Sequence, residues 1–178
     1  MDWNRKPSTT SVQGSAADGT IFVGEDATFT TPAVVVSEET NLAALSAGAR
    51  VIAVSSNFGG AANNETWGAN SAIDGSGATA WSSNGDGNGA FIEIRFSGQA
   101  TITAVEVWTR SMTNSAQISA FTLTTDGGQQ LGPFDLPDAA ASHRFDIDVV
   151  TGSLRLDVVE SNGGNTGLIE FAAYGSPL

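Results

Sequence analysis

The chain has 178 residues, enough for one domain with a sizeable core and a short appendage. It contains no cysteine, which excludes a disulfide framework, a thiolate metal site and a cysteine nucleophile. Acidic residues outnumber basic ones by 19 to 7, and the net charge of -12 argues against nucleic acid or an anionic membrane surface as a partner.

The first 40 residues are predicted to form a segment of their own. Residues 1 to about 19 are polar and aperiodic, which is typical of a disordered tail, and they contain no apolar run of the kind found in a secretory signal. Residues 20–37 carry short apolar runs divided by turn residues and Pro32, which predict two or three short strands. We therefore expect residues 1–40 to be a short N-terminal β-extension that docks to neighbouring proteins or to another copy of the chain.

No stretch of the sequence is long enough to span a membrane, so membrane insertion is not expected. Residues 41–49 indicate one helical turn, and residues 50–56 indicate a strand because of their β-branched content. Residues 57–70 form a long loop rich in glycine and asparagine that carries Phe58 and Trp67. Such aromatic side chains either fold back over the core or are displayed for a ligand, and both interpretations stay open.

The segment 71–83, Ser-Ala-Ile-Asp-Gly-Ser-Gly-Ala-Thr-Ala-Trp-Ser-Ser, is predicted to be a folded loop held at both ends. Asp74 offers carboxylate oxygens, Thr79 offers a hydroxyl, and a turn containing glycine can point backbone carbonyls inward. Calcium prefers such a set of oxygen ligands. The alternative interpretation is a plain turn in which Trp81 fills the core.

The remaining sequence consists of short runs in which apolar and polar residues alternate, and this period of two is typical of half-buried antiparallel strands. The turn at 126–128, Asp-Gly-Gly, predicts a hairpin after the strand that ends at residue 125. Roughly eight short strands and almost no helix predict an all-β fold, an antiparallel β-sandwich or jelly roll. After residue 90, the predicted strands lie at 91–96, 102–110, 121–125, 143–149, 154–158 and 168–175.

The order and spacing of several motifs resemble the discoidin family, also called coagulation-factor C-type domains. These domains are galactose-binding-like β-sandwiches, and they are related to bacterial carbohydrate-binding modules and fucose-binding lectins. The resemblance covers residues 41–176. It therefore predicts that residues 41–178 form the second domain. The motifs that carry it are Asn41-Leu-Ala, Ala72-Ile-Asp-Gly, Thr79-Ala-Trp-Ser-Ser, Phe91-Ile-Glu-Ile, Val105-Glu-Val-Trp, Leu154-Arg-Leu and Ile169-Glu-Phe-Ala-Ala-Tyr-Gly.

The resemblance implies a structural calcium ion between the central loop and the last strand. A cation would explain Glu170, the only charge in an apolar terminal strand, because a buried unpaired carboxylate is costly. The alternative is that Glu170 faces solvent or pairs with an arginine. The implied ligands are the carboxylates of Asp74 and Glu170, the hydroxyl and carbonyl of Thr79, and the carbonyls of Ser71, Ser76 and Ile169.

The resemblance also implies a sugar site in the loops at one end of the sandwich, where an aromatic ring stacks on the sugar. Arg110 occupies a position that often carries a sugar-binding arginine in the family, and its fork of donors suits vicinal hydroxyls. These loops contain no histidine, and His143 falls on the apolar face of a strand, where a packed side chain is favoured over a ligand. The other candidate ligand-binding residues are Phe58, Trp67, Asn84, Asp86, Asn114, Asn162 and Asn165.

Two functions follow from these expectations. The first is a non-catalytic, calcium-stabilised carbohydrate-binding domain that attaches its carrier to cell-surface or extracellular polysaccharide. The second is a structural or adhesion subunit of a phage-like particle or similar assembly, docked through residues 1–40. Either function places the protein outside the cell or on the surface of a particle. A hydrolase is disfavoured, because the only histidine lies in a predicted strand and no acid pair can be assigned to glycoside hydrolysis.

Overall fold

The structure is a computed structural model that describes residues 13–15, 18, 21–23, 39–113 and 115–178. The chain divides into two compact units, Met1–Glu38 and Glu39–Leu178. In the first unit, β1 (Gln13–Ser15) and β2 (Ile21–Val23) pair as antiparallel strands. Gln13–Ser15 forms a strand although its sequence is of the polar, aperiodic kind typical of a disordered tail, because backbone pairing with a neighbouring strand does not require an apolar period. The other strands predicted for residues 20–37 lie outside the described residues.

The regular secondary structure of the second unit consists mainly of antiparallel strands. In its described residues the helical content is limited to short 3-10 turns, of which Leu45–Ala47 confirms the helical turn predicted within 41–49. Within the part of the chain that the structure describes, no helix has the length and apolarity needed to cross a membrane. The strands are β3 (Thr40–Asn41), β4 (Arg50–Val54), β5 (Phe91–Thr109), β6 (Ile118–Thr125), β7 (Gln130–Asp135), β8 (His143–Ser161) and β9 (Leu168–Pro177).

The strands β5 and β8 are each 19 residues long and belong to both layers of a sandwich. The pairing between them is interrupted between Arg95 and Ala100 of β5. Before this interruption β5 lies between β4 and the second half of β8, and after it β5 lies between β9 and the first half of β8. Strands that change layers at a bend form the corners of such sandwiches. The predicted β-sandwich is confirmed, whereas the prediction of two separate strands in each of these regions is wrong.

The core lies between the two layers and follows the predicted alternation. Ile92 and Ile94 of β5 are completely buried, and so are Val105 and Val107 in its second half. Trp81 is also completely buried, and its indole N–H donates to a backbone carbonyl at 3.0 Å, so its polar group is satisfied. The largest completely buried side chains are Trp81, Phe121, Phe171, Ile73, Ile92, Ile94, Ile102, Ile118, Leu123, Leu154, Leu156 and Leu168.

The Asp-Gly-Gly hairpin predicted after residue 125 is confirmed, and it joins β6 to β7. Gly128 has a φ of +82°, which favours glycine, and its N–H donates to the carbonyl of Thr125 at 2.9 Å. The sequence did not predict β7, because Gly132 and Pro133 interrupt its pattern. Proline lacks a backbone donor and is tolerated mainly at sheet edges, and β7 is an edge strand.

Candidate functional site

Loops at one end of the sandwich surround a cavity of about 460 Å³, within the size range of small-molecule sites. Of the residues predicted to bind a ligand, the structure brings four to its walls: Phe58, Trp67, Arg110 and Asn165. The strand ends explain this convergence, because Arg110 follows β5 and Asn165 precedes β9, its antiparallel partner. The rest of the wall consists of Gly77, Ala78, Thr79, Ala80, Ser82, Ser111, Met112 and Ile169.

The extended backbone of Trp81–Ser83 ties these loops together. Its three N–H groups donate in turn to the carbonyls of Leu168, Trp67 and Thr166, at 2.8, 3.0 and 2.9 Å. Its middle carbonyl accepts from the N–H of Phe58 at 2.8 Å. One short segment therefore fixes the backbone of both aromatic residues relative to the start of the last strand.

Arg110 forms the polar centre of the cavity wall and is only 8% exposed. Its Nη1 donates to the hydroxyl of Ser82 at 2.7 Å and to the backbone carbonyl of Asn165 at 2.5 Å. The indole ring of Trp67 covers the guanidinium, with 5.3 Å between the guanidinium carbon and the ring centroid. Burial lowers the pKa of Arg110, although an arginine in a protein stays cationic. The guanidinium is thus held rigidly at the edge of the cavity.

The aromatic residues of the long loop are displayed at the cavity and do not cover the core. Phe58 is 45% exposed and Trp67 is 43% exposed. Trp67 has a φ of +66°, which is uncommon for a bulky residue and typical of functional loops. Sequence reasoning missed Met112, which is 48% exposed and also lines the cavity. The available signal was a lone apolar residue two positions after Arg110 in an otherwise polar loop.

Two other predicted ligand residues, Asn84 and Asp86, brace the loop that carries Phe58 and do not line the cavity. The side-chain carbonyl of Asn84 accepts from the N–H of Gly59 at 3.2 Å. The carboxylate of Asp86 accepts from the hydroxyl of Ser56 at 2.5 Å. One side-chain oxygen of each residue is therefore engaged within the protein.

Asn162 also lies outside the cavity wall, and its side-chain carbonyl accepts from the N–H of Gln117 at 2.8 Å. Asn114 lies outside the described residues. His143 is half-buried at the start of β8, with its Nε2 3.1 Å from a carboxylate oxygen of Asp138. This arrangement agrees with the packed, hydrogen-bonded histidine that the sequence favoured.

The two acids predicted to bind a cation meet at one loop. The carboxylate of Glu170, on β9, accepts from the N–H of Gly75 at 3.2 Å. The carboxylate of Asp74 accepts from the N–H of Ser76 at 2.9 Å and from the hydroxyl of Thr79 at 2.8 Å. The last strand and the central loop are thus joined through carboxylates, the residue types that hold hard cations.

Glu170 is the electrostatically unusual member of this group. One of its oxygens, Oε1, is buried and has no hydrogen-bond partner within the described residues. Burial, together with the neighbouring charge of Asp74, raises its pKa to about 7. No arginine or lysine in the described ranges forms an ion pair with it, so the arginine-paired alternative does not describe this side chain.

The backbone beside Glu170 is irregular. The register between β5 and β9 shifts at Trp108 and Thr109, which leaves Ile169 as the extra residue of a bulge. Ser71 lies in the 3-10 turn Ala69–Ala72 that precedes the loop. Within the described residues, no group of three or more acidic or histidine side chains is placed to hold a metal ion. A cation here would therefore depend on carbonyl and hydroxyl oxygens besides the two carboxylates.

Comparison of the chain with known protein families gives one match. The model of the F5/8 type C domain matches residues 51–171, more than half of the chain. The chain belongs to the F5/8 type C domain family. The resemblance read from the motifs is therefore confirmed. No curated protein matches the chain.

Solved structures share the sandwich of this F5/8 type C domain at low sequence identity. The Clostridium perfringens module CpGH89CBM32-5, in complex with GalNAc-β-1,3-galactose, is 17% identical with a TM-score of 0.64, and the match covers 76% of this chain and 100% of that one. The family 32 module of Clostridium perfringens NanJ, in complex with galactose, is 14% identical with a TM-score of 0.63, covering 76% and 98%. Chitosan-binding module 1 of a Paenibacillus chitosanase/glucanase is 20% identical with a TM-score of 0.55, covering 76% and 99%. At these identities the comparison establishes the fold.

In this F5/8 type C domain, the acidic loop and the cavity share a wall. Thr79, which bonds to Asp74, lines the cavity, and so does Ile169, which precedes Glu170 in the bulge. Anything that orders the loop on β9 therefore also orders one side of the cavity.

Proposed function

We propose that the protein is a non-catalytic carbohydrate-binding domain that attaches its carrier to cell-surface or extracellular polysaccharide. The observation that carries this proposal is the cavity, where exposed aromatic rings stand beside a buried, rigid guanidinium. Sugars present apolar ring faces that stack on Phe58 or Trp67, and hydroxyl groups that accept from Arg110. Support also comes from the structural neighbours, which include modules crystallised with galactose and with GalNAc-β-1,3-galactose.

A binding role agrees with the chemistry of the cavity better than a hydrolytic one. Glycoside hydrolysis uses a pair of carboxyl groups on either side of the scissile bond. Among the residues that the structure describes, the cavity wall contains neither aspartate nor glutamate. His143, the only histidine, pairs with Asp138 and lies outside the cavity wall. The described wall is therefore suited to holding a sugar and contains no pair of carboxyl groups that would cleave it.

We also propose that a structural calcium ion binds between the central loop and β9. The unpartnered, buried oxygen of Glu170 beside Asp74 supports this proposal, since a cation would neutralise both carboxylates and satisfy that oxygen. When bound, calcium supplies positive charge and a rigid link between the two segments. The proposed ligands are the side chains of Asp74, Thr79 and Glu170 and the carbonyls of Ser71, Ser76, Thr79 and Ile169.

A glycan array probed with the full chain tests the carbohydrate proposal. We expect saturable binding by the wild type and loss of binding in Arg110→Ala. Arg95→Ala is the matched control, because Arg95 is an exposed arginine of β5 that does not line the cavity. Thermal unfolding of both variants shows whether the Arg110 variant remains folded. Equal binding by Arg110→Ala and the wild type would place the site elsewhere, and failure to bind any glycan would overturn the proposal.

A further inference from the structure

We propose that the cavity selects glycans that carry a carboxylate, such as uronic acid residues, over neutral sugars, because its buried guanidinium faces a space whose described walls hold no acidic group. This inference rests on the proposed carbohydrate-binding function and adds a ligand class to the same site. The recognised unit is a sugar whose ring lies against the exposed aromatic side chains while its carboxylate meets Arg110.

The first step is the unbalanced charge of Arg110. In a chain with 19 acidic and 7 basic residues, a buried arginine without a carboxylate is unexpected. Arg144 and Arg155, by contrast, form ion pairs with Glu39 at 2.8 Å and Asp157 at 2.7 Å. Arg110 forms none within the described residues, although it is only 8% exposed. A buried charge is costly without a partner of opposite sign, so this arginine suits an anion supplied by the ligand.

The second step is the geometry of the free donors. Within the described ranges, Nη1 is the only guanidinium nitrogen of Arg110 that donates hydrogen bonds, and both of its acceptors are neutral oxygens. Nη2 and Nε remain without an acceptor there. These two groups form one edge of the planar guanidinium, and a carboxylate accepts from such an edge with two parallel hydrogen bonds. A sugar hydroxyl provides lone pairs but no compensating charge.

The third step is the environment of the charge. Trp67 stacks over the guanidinium, and Phe58 and Met112 contribute exposed apolar surface to the same cavity. Ion pairs gain strength where apolar walls exclude water, since the effective dielectric constant falls. The overall charge of -12 opposes an acidic ligand at long range. That repulsion is screened beyond about 8 Å at physiological ionic strength, whereas a contact ion pair in the cavity is screened much less.

Titration calorimetry of the full chain with matched ligands tests the inference. The ligands are oligogalacturonate, its methyl ester, neutral galacto-oligosaccharide and a sulfated galactan. We expect the acid to bind at least about 10-fold more tightly than its methyl ester. A hydrogen bond to a charged partner is stronger than one to a neutral partner by an amount that changes a binding constant by about that factor. Arg110→Gln should reduce this ratio to about 1 while Arg95→Gln leaves it unchanged. Arg110→Lys, which keeps the charge but loses the planar fork, should give an intermediate ratio.

The outcomes separate this inference from the proposed function. If the methyl ester or the neutral oligosaccharide binds as tightly as the acid, the carboxylate preference is overturned while carbohydrate binding stands. Tighter binding of the sulfated galactan than of the acid would also overturn it. If none of the ligands binds and a glycan array is negative, both proposals fall. Thermal unfolding shows whether the variants are folded. If Arg110→Gln does not fold, the comparison of Arg110→Lys with the wild type still tests the inference.

Discussion

Glu170 offers the sharpest test of the proposed cation site, through the pH dependence of stability in the absence of divalent cations. In the folded protein, burial and Asp74 raise the pKa of Glu170 from 4.5 to about 7. Between these two values the folded state binds more protons than the unfolded state, so the free energy of unfolding decreases as the pH rises through that window. The stabilisation is complete below about pH 4.5, where the group is protonated in both states.

The magnitude follows from the shift. A difference of about 2.5 units, from 4.5 to about 7, corresponds to about 3.4 kcal/mol at about 1.36 kcal/mol per unit. Glu170 is half-buried, and solvent screening reduces the effect to about half of that value. We therefore expect the cation-free protein to lose about 1.5 kcal/mol between pH 4.5 and pH 7 through this residue.

Urea unfolding in a chelator at several pH values, for the wild type and Glu170→Gln, measures this contribution as the difference between the two proteins. The variant lacks the titrating group, so its stability should change less with pH. Calcium at a concentration of 100 times its dissociation constant should stabilise the wild type by about 2.7 kcal/mol, which more than reverses the loss. Calcium should have no effect on the stability of Glu170→Gln. Glu93→Gln, on β5, is the control and should respond to calcium as the wild type does. Identical pH profiles for wild type and Glu170→Gln, together with no stabilisation by calcium, would refute the reasoning.

Two further predictions concern the packing that positions the site. At Gly167, a Cβ would lie 2.1 Å from the carbonyl oxygen of Trp81, so Gly167→Ala should destabilise the protein by roughly 1–3 kcal/mol. At Gly89, a Cβ would have no atom within 4 Å, so Gly89→Ala should change the stability little. Chemical denaturation of the two variants compares their stabilities. Phe171 is completely buried, so Phe171→Ala should cost roughly 3–5 kcal/mol in the same assay, while Val150→Ala, at a position that is 58% exposed, should cost less than about 0.5 kcal/mol. Equal losses within either pair would contradict these packing arguments.

The fold class was predictable because it depends on a local pattern. The alternation around Ile92, Ile94, Val105 and Val107 identified which residues face the core, and all four are completely buried. Strand continuity was not predictable, because the bend of β5 is determined by its pairing with strands that are distant in sequence. The edge strand β7 was missed for a related reason, since Pro133 is tolerated only where no neighbour requires its backbone donor.

The candidate site was predictable only in part. The family resemblance pointed to Arg110, the long loop offered Trp67 as a candidate beside it, and the structure brings both to one cavity. Asn84 and Asn162 were expected at the same cavity, yet their side chains hold neighbouring loops. Asparagine serves equally well as a ligand and as a loop brace, and the choice depends on which backbone donors lie nearby. Sequence spacing does not contain that information.

By itself, the sequence determined the β-sandwich, the lone acid of the last strand and the arginine at the end of β5. Only the tertiary structure decided, for the residues that it describes, that Glu170 meets Asp74 with one oxygen unsatisfied and that no carboxylate lies beside Arg110. The physical reason is that the burial and charge environment of a side chain are sums over neighbours from distant parts of the chain. A linear pattern records the residue types, whereas the fold selects which of them share a low-dielectric space.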